Sequence, residues 1–424
     1  MVFTDISTTF VGKIYIIMKR IDLFFTLCCF VAFRGLSISA ASPNTPDMVQ
    51  WRQLSQQAEI SLITCSPSED AVFTVYGHTA LRIYDPANKI DQVYNYGIFD
   101  FSKPDFVYRF AKGETDYVLG TSNFGYFLFE YVSRGSEVYE QVLNLLHREK
   151  EALWNALEWN VLPENRVYRY NFFFDNCATR PVAMIENNLQ GTVNFMPPVS
   201  KLPTFRDIIN KCTRYRSWQT FGCDLALGLP TDRMMTQRES FFIPDNVKNA
   251  FEMAKITREG VSVPLVKKTN LLAEKDQLPQ ATPFLMSPVF CFSALFVLIL
   301  VITIIEWRRK FCYRIVDILL FFSAGIAGCI LFFLSFFSVH PSIFPNISLL
   351  WLHPLHLFGF ILFSIKKLKM PAYWYHFINF AVVIIMSVAW IFVPQHFNIA
   401  FIPLIASLLL RSGGVVIRKK YTIG

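Results

Sequence analysis

From Phe284 onward the chain is a succession of apolar runs, at about 285–305, 314–337, 347–365, 373–393 and 398–417. A helix needs about 20 such residues to cross the hydrocarbon core. Residues 284–424 carry eleven Lys/Arg and two Asp/Glu, net +9, whereas residues 43–283 carry 25 and 28, net −3. Only 17% of the 424 residues are charged, against about a quarter in a soluble domain. These features exclude a purely soluble enzyme, a disordered chain and a small disulfide scaffold. The 43–283 portion is too acidic to suggest a nucleic-acid partner.

The connections sort by charge. Arg308, Arg309, Lys310 and Arg314 lie between the first and second runs, Lys366, Lys367 and Lys369 between the third and fourth, and Arg418, Lys419 and Lys420 after the fifth. The alternate loops near 338–346 and 394–397 have no Lys or Arg. The positive-inside rule then gives five crossings, an external N-terminal domain and a cytoplasmic C-terminus.

Lys19 and Arg20 precede the apolar run Ile21–Phe33, and Ser37, Ser39, Ala40 and Ala41 follow. That pattern predicts a signal peptide over 1–41. Met18 makes a better start than Met1, so residues 1–17 are expected to be an extension. Export puts 42–272 where cysteines can oxidise, and a Cys212–Cys223 pairing is left open. The polar, proline-bearing stretch 273–283 reads as a linker before the membrane part, 284–424.

Within 42–272 the pattern is α+β. Ile60–Cys65 and Gly77–Tyr84 read as strands, and Asp85-Pro86-Ala87-Asn88 as a turn. Val93–Ile98 reads as the returning strand, 136–160 as an amphipathic helix, and Tyr168–Phe174 as a strand running straight into Cys177. A helix after Cys177, capped by Asn176 or Asp175 with Pro181 in its first turn, would place the thiol at a helix N-terminus. There its pKa would fall and free N–H groups could hold an oxyanion. A thiol nucleophile needs a base, and His78 at the start of its strand is the candidate. A third group should orient the imidazole. If the turn closes a hairpin, residue 78 lies opposite about 95 or 96, so Asn95 and Tyr96 compete for that role.

The outward end of the membrane part is polar, with His340, Asn346, His353, His356, Gln395 and His396. His353 and His356 share a face if the third run is helical. Without an HExxH or an acidic partner, neither metal nor cofactor is expected. The rim is expected to meet lipid headgroups.

The segments YGHTALRIYDP, NYGIFDFSKPDFVYRFAKG and YRYNFFFDNCATRP resemble the periplasmic domain of Lnb-type proteins, and SVHP and NISLLWLHPLHL resemble the membrane domain attached to it. A strand-borne His followed much later by an NC at a helix start also resembles circularly permuted papain-like, NlpC-type folds. The resemblance implies a permuted papain-like periplasmic domain followed by an all-α five-helix transmembrane bundle in the bacterial inner membrane. It implies N-acylation of lipoproteins, with Cys177 as nucleophile and His78 as base. Asn95 as third residue rests on the hairpin register. The implied partners are a phospholipid or diacylglyceryl acyl donor and a lipoprotein N-terminus. Candidate substrate-binding residues are Tyr96, Asn176, Arg180, His340, Asn346, His353 and His356. Arg180 could meet a lipid phosphate or pair with Glu186 or Asp175. A cell-wall peptidase or amidase using the same dyad, and a non-catalytic maturation factor, are the alternatives.

The loop charges make the topology testable. A reporter fused after Gly424 is expected in the cytoplasm and one inserted near Ser342 outside it; an external C-terminus would mean a miscounted crossing.

Overall fold

The Asp85-Pro86-Ala87-Asn88 turn closes as its residues dictate, with the Asp85 carboxylate accepting from the backbone and side-chain nitrogens of Asn88 (3.4 and 2.7 Å). It joins two antiparallel strands at the centre of the N-terminal domain. The computed structural model describes residues 53–99, 105–196, 201–275 and 280–418. The expected signal peptide, and residues 276–279 of the expected linker, lie outside the described residues.

In chain order the domain comprises β1 (Glu59–Cys65), β2 (His78–Asp85), β3 (Ile90–Ile98), α1 (Phe106–Lys112), β4 (Asp116–Asn123), α2 (Phe124–Ser133), β5 (Val138–Leu143), α3 (His147–Val161), β6 (Val167–Arg169), α4 (Thr179–Asn187), β7 (Thr192–Asn194), α5 (Phe205–Thr213), α6 (Ser217–Ala226), α7 (Pro244–Met253), β8 (Lys255–Arg258), β9 (Val261–Pro264) and β10 (Val266–Ala273). Seven strands form an antiparallel sheet in the order β10-β5-β1-β2-β3-β4-β6, and β7-β8-β9 form a smaller one. Strand side chains alternate between faces. Leu62, Leu81, Ile83, Tyr94 and Tyr96 pack with Leu153, Trp154 and Leu157 of α3, Val182 and Ile185 of α4 and Val247 and Phe251 of α7. Ile63, Cys65, Ala80 and Val93 face Phe124, Phe127 and Tyr131 of α2. Burying both faces removes the clean apolar/polar alternation of a half-exposed sheet.

Two expected elements differ. The first third of the expected 136–160 helix is β5, in which Val138-Tyr139-Glu140-Gln141-Val142 sits between β1 and β10; the helix begins only at His147. The expected strand Tyr168–Phe174 stops at Arg169. Asn171 then turns the chain, its side-chain oxygen accepting from the Phe173 and Phe174 amides (both 3.2 Å).

The membrane part comprises α8 (Pro288–Arg309), α9 (Arg314–Phe336), α10 (His356–Ser364), α11 (Lys369–Ala389) and α12 (Phe401–Ile417). Among the described residues, three helical segments are long and apolar enough to cross a bilayer: α8, α9 and Lys366–Phe392, which contains α11. The other two expected crossings are not continuous 20-residue helices. The third run is a 3₁₀ turn, Ile347–Leu350, followed by the nine-residue α10, with Pro354 between them. The fifth is the 17 residues of α12.

The only acids of residues 284–424, Glu306 and Asp317, both pair with Arg411 (2.8 and 2.6 Å), and Arg418 adds a second contact to Glu306 (3.1 Å). Arg411 and Glu306 are fully buried, so this cluster ties α8, α9 and α12 together. Removing one partner would leave a buried unpaired charge, at a cost of about 3–5 kcal/mol.

The N-terminal domain is bonded to the bundle along a seam. The Asn346 side chain donates to the carbonyls of Leu225 and Ala226 (2.9 and 3.2 Å). The Gly228 and Leu229 amides donate to the carbonyls of Ser342 and Pro345 (2.9 and 2.8 Å). Asn398 donates to Asp224 (2.8 Å). At a second point the Val339 amide donates to the Lys112 carbonyl (2.8 Å), and His340 Nε2 to that of Phe110 (2.7 Å).

Gly228 has no room for a side chain: a Cβ there would lie 2.1 Å from the Ile343 carbonyl oxygen and 2.4 Å from that of Pro345. Gly228→Ala is expected to cost about 1–3 kcal/mol through overpacking. It should lower the melting temperature and expose the 224–232 segment to limited proteolysis. An unchanged melting curve and digest would show that the seam does not hold the two parts together.

Candidate functional site

Three elements deliver the chemistry-bearing side chains to one point. His78 opens β2, and Asn95 lies late in β3, on the same face of the sheet. The registered pairs run from Asp85↔Ile90 to Leu81↔Tyr94. Continuing that register sets Gly97, not residue 95 or 96, opposite His78. The Asn95 side chain therefore reaches diagonally, and its Oδ1 lies 2.6 Å from His78 Nε2. This contact puts the imidazole proton on Nε2 and leaves Nδ1 as the free ring nitrogen. The ring stacks on Tyr131 of α2 (centroids 5.6 Å apart, planes at 13°).

Tyr96 points into the opposite core. It is fully buried, and its hydroxyl donates to Asn160 (2.6 Å). It has no access to a substrate.

Gly97 makes the convergence possible. Its φ of +95° suits glycine. A Cβ at this position would lie 3.3 Å from Cys177 Cβ and 4.0 Å from His78 Cε1. The thiol and the imidazole thus flank one residue that has no side chain. They are not joined by a direct hydrogen bond.

Asn176 fixes the thiol's position. It is buried, its Oδ1 accepts from the amides of Ala178 and Thr179 (2.8 and 2.9 Å), and its Nδ2 donates to the carbonyls of Phe172 and Phe242 (2.9 and 2.8 Å). It is a capping residue, fully used, rather than a substrate ligand. It also occupies the helix N–H groups expected to hold an oxyanion. The Thr79 amide, the Cys177 amide and the Tyr170 hydroxyl instead lie near the sulfur and favour its anion.

The electrostatics differ from the expected thiolate. Burial pushes the Cys177 thiol up to about 11 against the pull of those three donors. Burial likewise holds His78 down to about 4, opposed by the Asn95 bond and reinforced by the Arg134 charge. A helix start lowers a thiol's pKa only where solvation of the thiolate is not lost. Here desolvation wins, and the resting pair is neutral thiol and neutral imidazole.

The other candidates divide. Arg180 grips Asp175 with two nitrogens (2.6 and 2.7 Å) and lies over the Tyr168 ring (3.6 Å), so the ion-pair alternative is the one found. His340 and Asn346 are seam residues and lie on the bundle away from the thiol's own elements. His353 and His356 stack (4.0 Å), and His356 is buried with both nitrogens used, by the Tyr375 hydroxyl and the Trp351 carbonyl (2.6 and 3.0 Å). The expected lipid-facing rim is thus largely spent on contacts within the protein. Cys212 and Cys223 are free thiols. Among the described residues no group of three or more His, Cys, Asp or Glu is arranged to hold a metal.

Sequence reasoning missed Tyr170, which lies within the quoted YRYNFFFDNC segment. It also missed Arg206, fully buried and bonded to Asp224 and Asp232. A charged residue in a strongly amphipathic helix is not distinguishable in sequence from a solvated one.

Residues 48–220 match the family model described as the Lnb N-terminal periplasmic domain, and residues 280–422 that described as the Lnb transmembrane domain. Neither a curated protein nor a solved structure matches the chain.

The depressed His78 has a measurable consequence. The unfolded state binds a proton near the ordinary value of 6.5 and the folded state only near 4. Stability is complete above 6.5 and is lost as pH falls through that window, by roughly 3 kcal/mol. The melting temperature of His78→Gln should therefore fall less than that of the native chain between neutral pH and about pH 4. Parallel acid losses would show that His78 is not buried in its neutral form. Alkylation of Cys177 should keep accelerating as pH rises toward about 11; a plateau near neutrality would mean a preformed thiolate.

Proposed function

Since this chain belongs to the Lnb family, joining that family's periplasmic and transmembrane domains in one polypeptide, we propose that it N-acylates the N-terminal cysteine of bacterial lipoproteins through a thioester on Cys177. Membership carries a membrane acyltransferase role in lipoprotein maturation, in a multi-pass inner-membrane protein. The mechanism, the permuted papain-like fold, the five crossings and the cytoplasmic C-terminus are our proposals. The observation that carries the mechanism is the meeting of His78, Asn95 and Cys177 around Gly97.

With a neutral resting pair, proton transfer accompanies attack. His78 Nδ1 takes the thiol proton as sulfur adds to the ester carbonyl of a membrane lipid. The developing oxyanion accepts hydrogen bonds from the donors that meet at Cys177, its own amide and the Tyr170 hydroxyl among them. Collapse expels the lipid alkoxide, which recovers the proton from the imidazolium and leaves as a lysolipid. The α-amine of the lipoprotein cysteine then attacks the thioester. Its proton passes through His78 to the departing sulfur, an amide forms, and the thiol is restored. Asn95 holds the ring so that Nδ1 is the nitrogen presented.

Mass spectrometry of lipoprotein N-termini is the test. Cys177→Ala and His78→Ala are each expected to abolish N-acylation, a loss of about 10³-fold or more, and the double variant should be little worse because the two residues act as a unit. Near-normal acylation by a folded His78→Ala protein would sink the mechanism. A peptidase using the same dyad would never carry a long acyl group on Cys177.

A further inference from the structure

A row of aromatic rings runs from the thiol to the bundle, and beyond the Tyr170 hydroxyl it takes no part in this chemistry. Tyr170, whose hydroxyl lies near the Cys177 sulfur, stacks on Tyr117 (centroids 4.1 Å apart). Tyr117 meets Phe99 (5.0 Å), Phe99 meets Phe106 (5.7 Å) and Phe106 meets Phe110 (6.0 Å). Phe110 lies edge-on to His340 (6.2 Å), at the contact between α1 and the loop after α9.

Beside the middle of the row is a cavity of about 130 Å³ whose walls include Ile98, Phe99, Phe106 and Val118. Arg109 and Asp116 also line it, but they are paired with each other at 2.7 Å, and Asp116 is held again by Arg169 (2.8 Å). With Asp105 also in the lining, one Arg stands against two Asp, so the cavity has no surplus positive charge to attract a phosphate headgroup. At the bundle end, α1 exposes Val107, Tyr108 and Phe110, and Tyr108 reaches Phe333 of α9 (6.1 Å). Exposed apolar side chains on a short helix, fixed to the end of a membrane-crossing one, lie where lipid tails are the nearest apolar material.

We propose that this row and its cavity bind one fatty acyl chain of the donor phospholipid, with the ester at Cys177 and the tail along Tyr117, Phe99 and Phe106 toward α1. The proposal rests on Cys177 receiving the acyl group. The row ends at the thiol, and the chain that must bring its carbonyl there is the donor's. The continuity of the row with the α1–bundle contact gives that chain a path out of the bilayer. No net charge is needed along the path, because the tail is neutral.

Photolabelling tests the track without needing turnover. Full-length protein carrying Cys177→Ala is reconstituted in phosphatidylethanolamine vesicles containing a trace of lipid with a diazirine at the end of a palmitoyl chain. Labelled peptides are then mapped by mass spectrometry. Labels are expected on Ile98, Phe106 or Val118, and Val118→Trp, which fills the cavity, should reduce them about tenfold. Phe106→Ala, which removes a wall, serves as a second variant should Val118→Trp lower the melting temperature. Labels confined to the lipid-facing surfaces of α8–α12, or labelling of the 98–118 region unchanged by either variant, overturns the track. Acylation of Cys177 in the native chain is read separately. Its absence would remove the thioester mechanism, and the labelling pattern would still decide whether a tail lies there.

Discussion

Arg206 holds together the part of the molecule on which everything else sits. Its guanidinium is 1% exposed and bonds Asp232, Asp224, the Thr231 hydroxyl and the carbonyls of residues 224, 227 and 228. A buried cation is tolerated only when its protons are met by charge and by oriented carbonyls. Satisfying this one forces residues 224–232 into a fixed loop. That loop presents Asp224 to Asn398, the carbonyls of 225 and 226 to Asn346, and Gly228 to the 342–345 segment. The membrane part has its own counterpart in Arg411, which consumes both acids of the bundle. Two buried guanidiniums thus organise the two halves, and the seam between them follows from the first.

The site is built by packing more than by charge. Gly97 clears the space, Asn176 locks the turn that carries the thiol, and Tyr131 and Tyr170 close around the imidazole and the sulfur. Burial raises the thiol and lowers the imidazole, so the pair rests uncharged. Such a thiol is protected from casual oxidation and alkylation, since the thiolate is the reactive form. In the proposed mechanism, the same low-dielectric surroundings would strengthen the donors aimed at the carbonyl oxygen of a bound ester.

Much of this was legible in the sequence, for definite reasons. The turn at Asp85–Asn88, the strand bearing His78 and the helix after Cys177 each carry local chemistry that tertiary context did not override. Asn95 against Tyr96 was not decidable, because one residue of register turns a side chain to the other face. The hidden strand β5 was lost for a related reason: Val138, Val142, Leu145 and Leu146 satisfy a helical period as well as a strand's. At the outer end of the bundle, Asn346 and His340 look the same in sequence whether they meet lipid headgroups or another domain's carbonyls. The third apolar run had the composition of a crossing, but its Pro354 and the capping by Asn346 break it.

The seam is made of backbone carbonyls, amides and a residue with no side chain, so there is little in it that can stretch. A tethered domain would sample a hemisphere above the bilayer and meet its substrates by swinging. This one cannot. The sulfur is carried at a single elevation and heading relative to the bundle, whatever the length of chain that connects them. In the proposed mechanism, the molecules that react with it would have to come to that spot by sliding in the plane of the membrane. That encounter would be a two-dimensional search by the lipids around a stationary target.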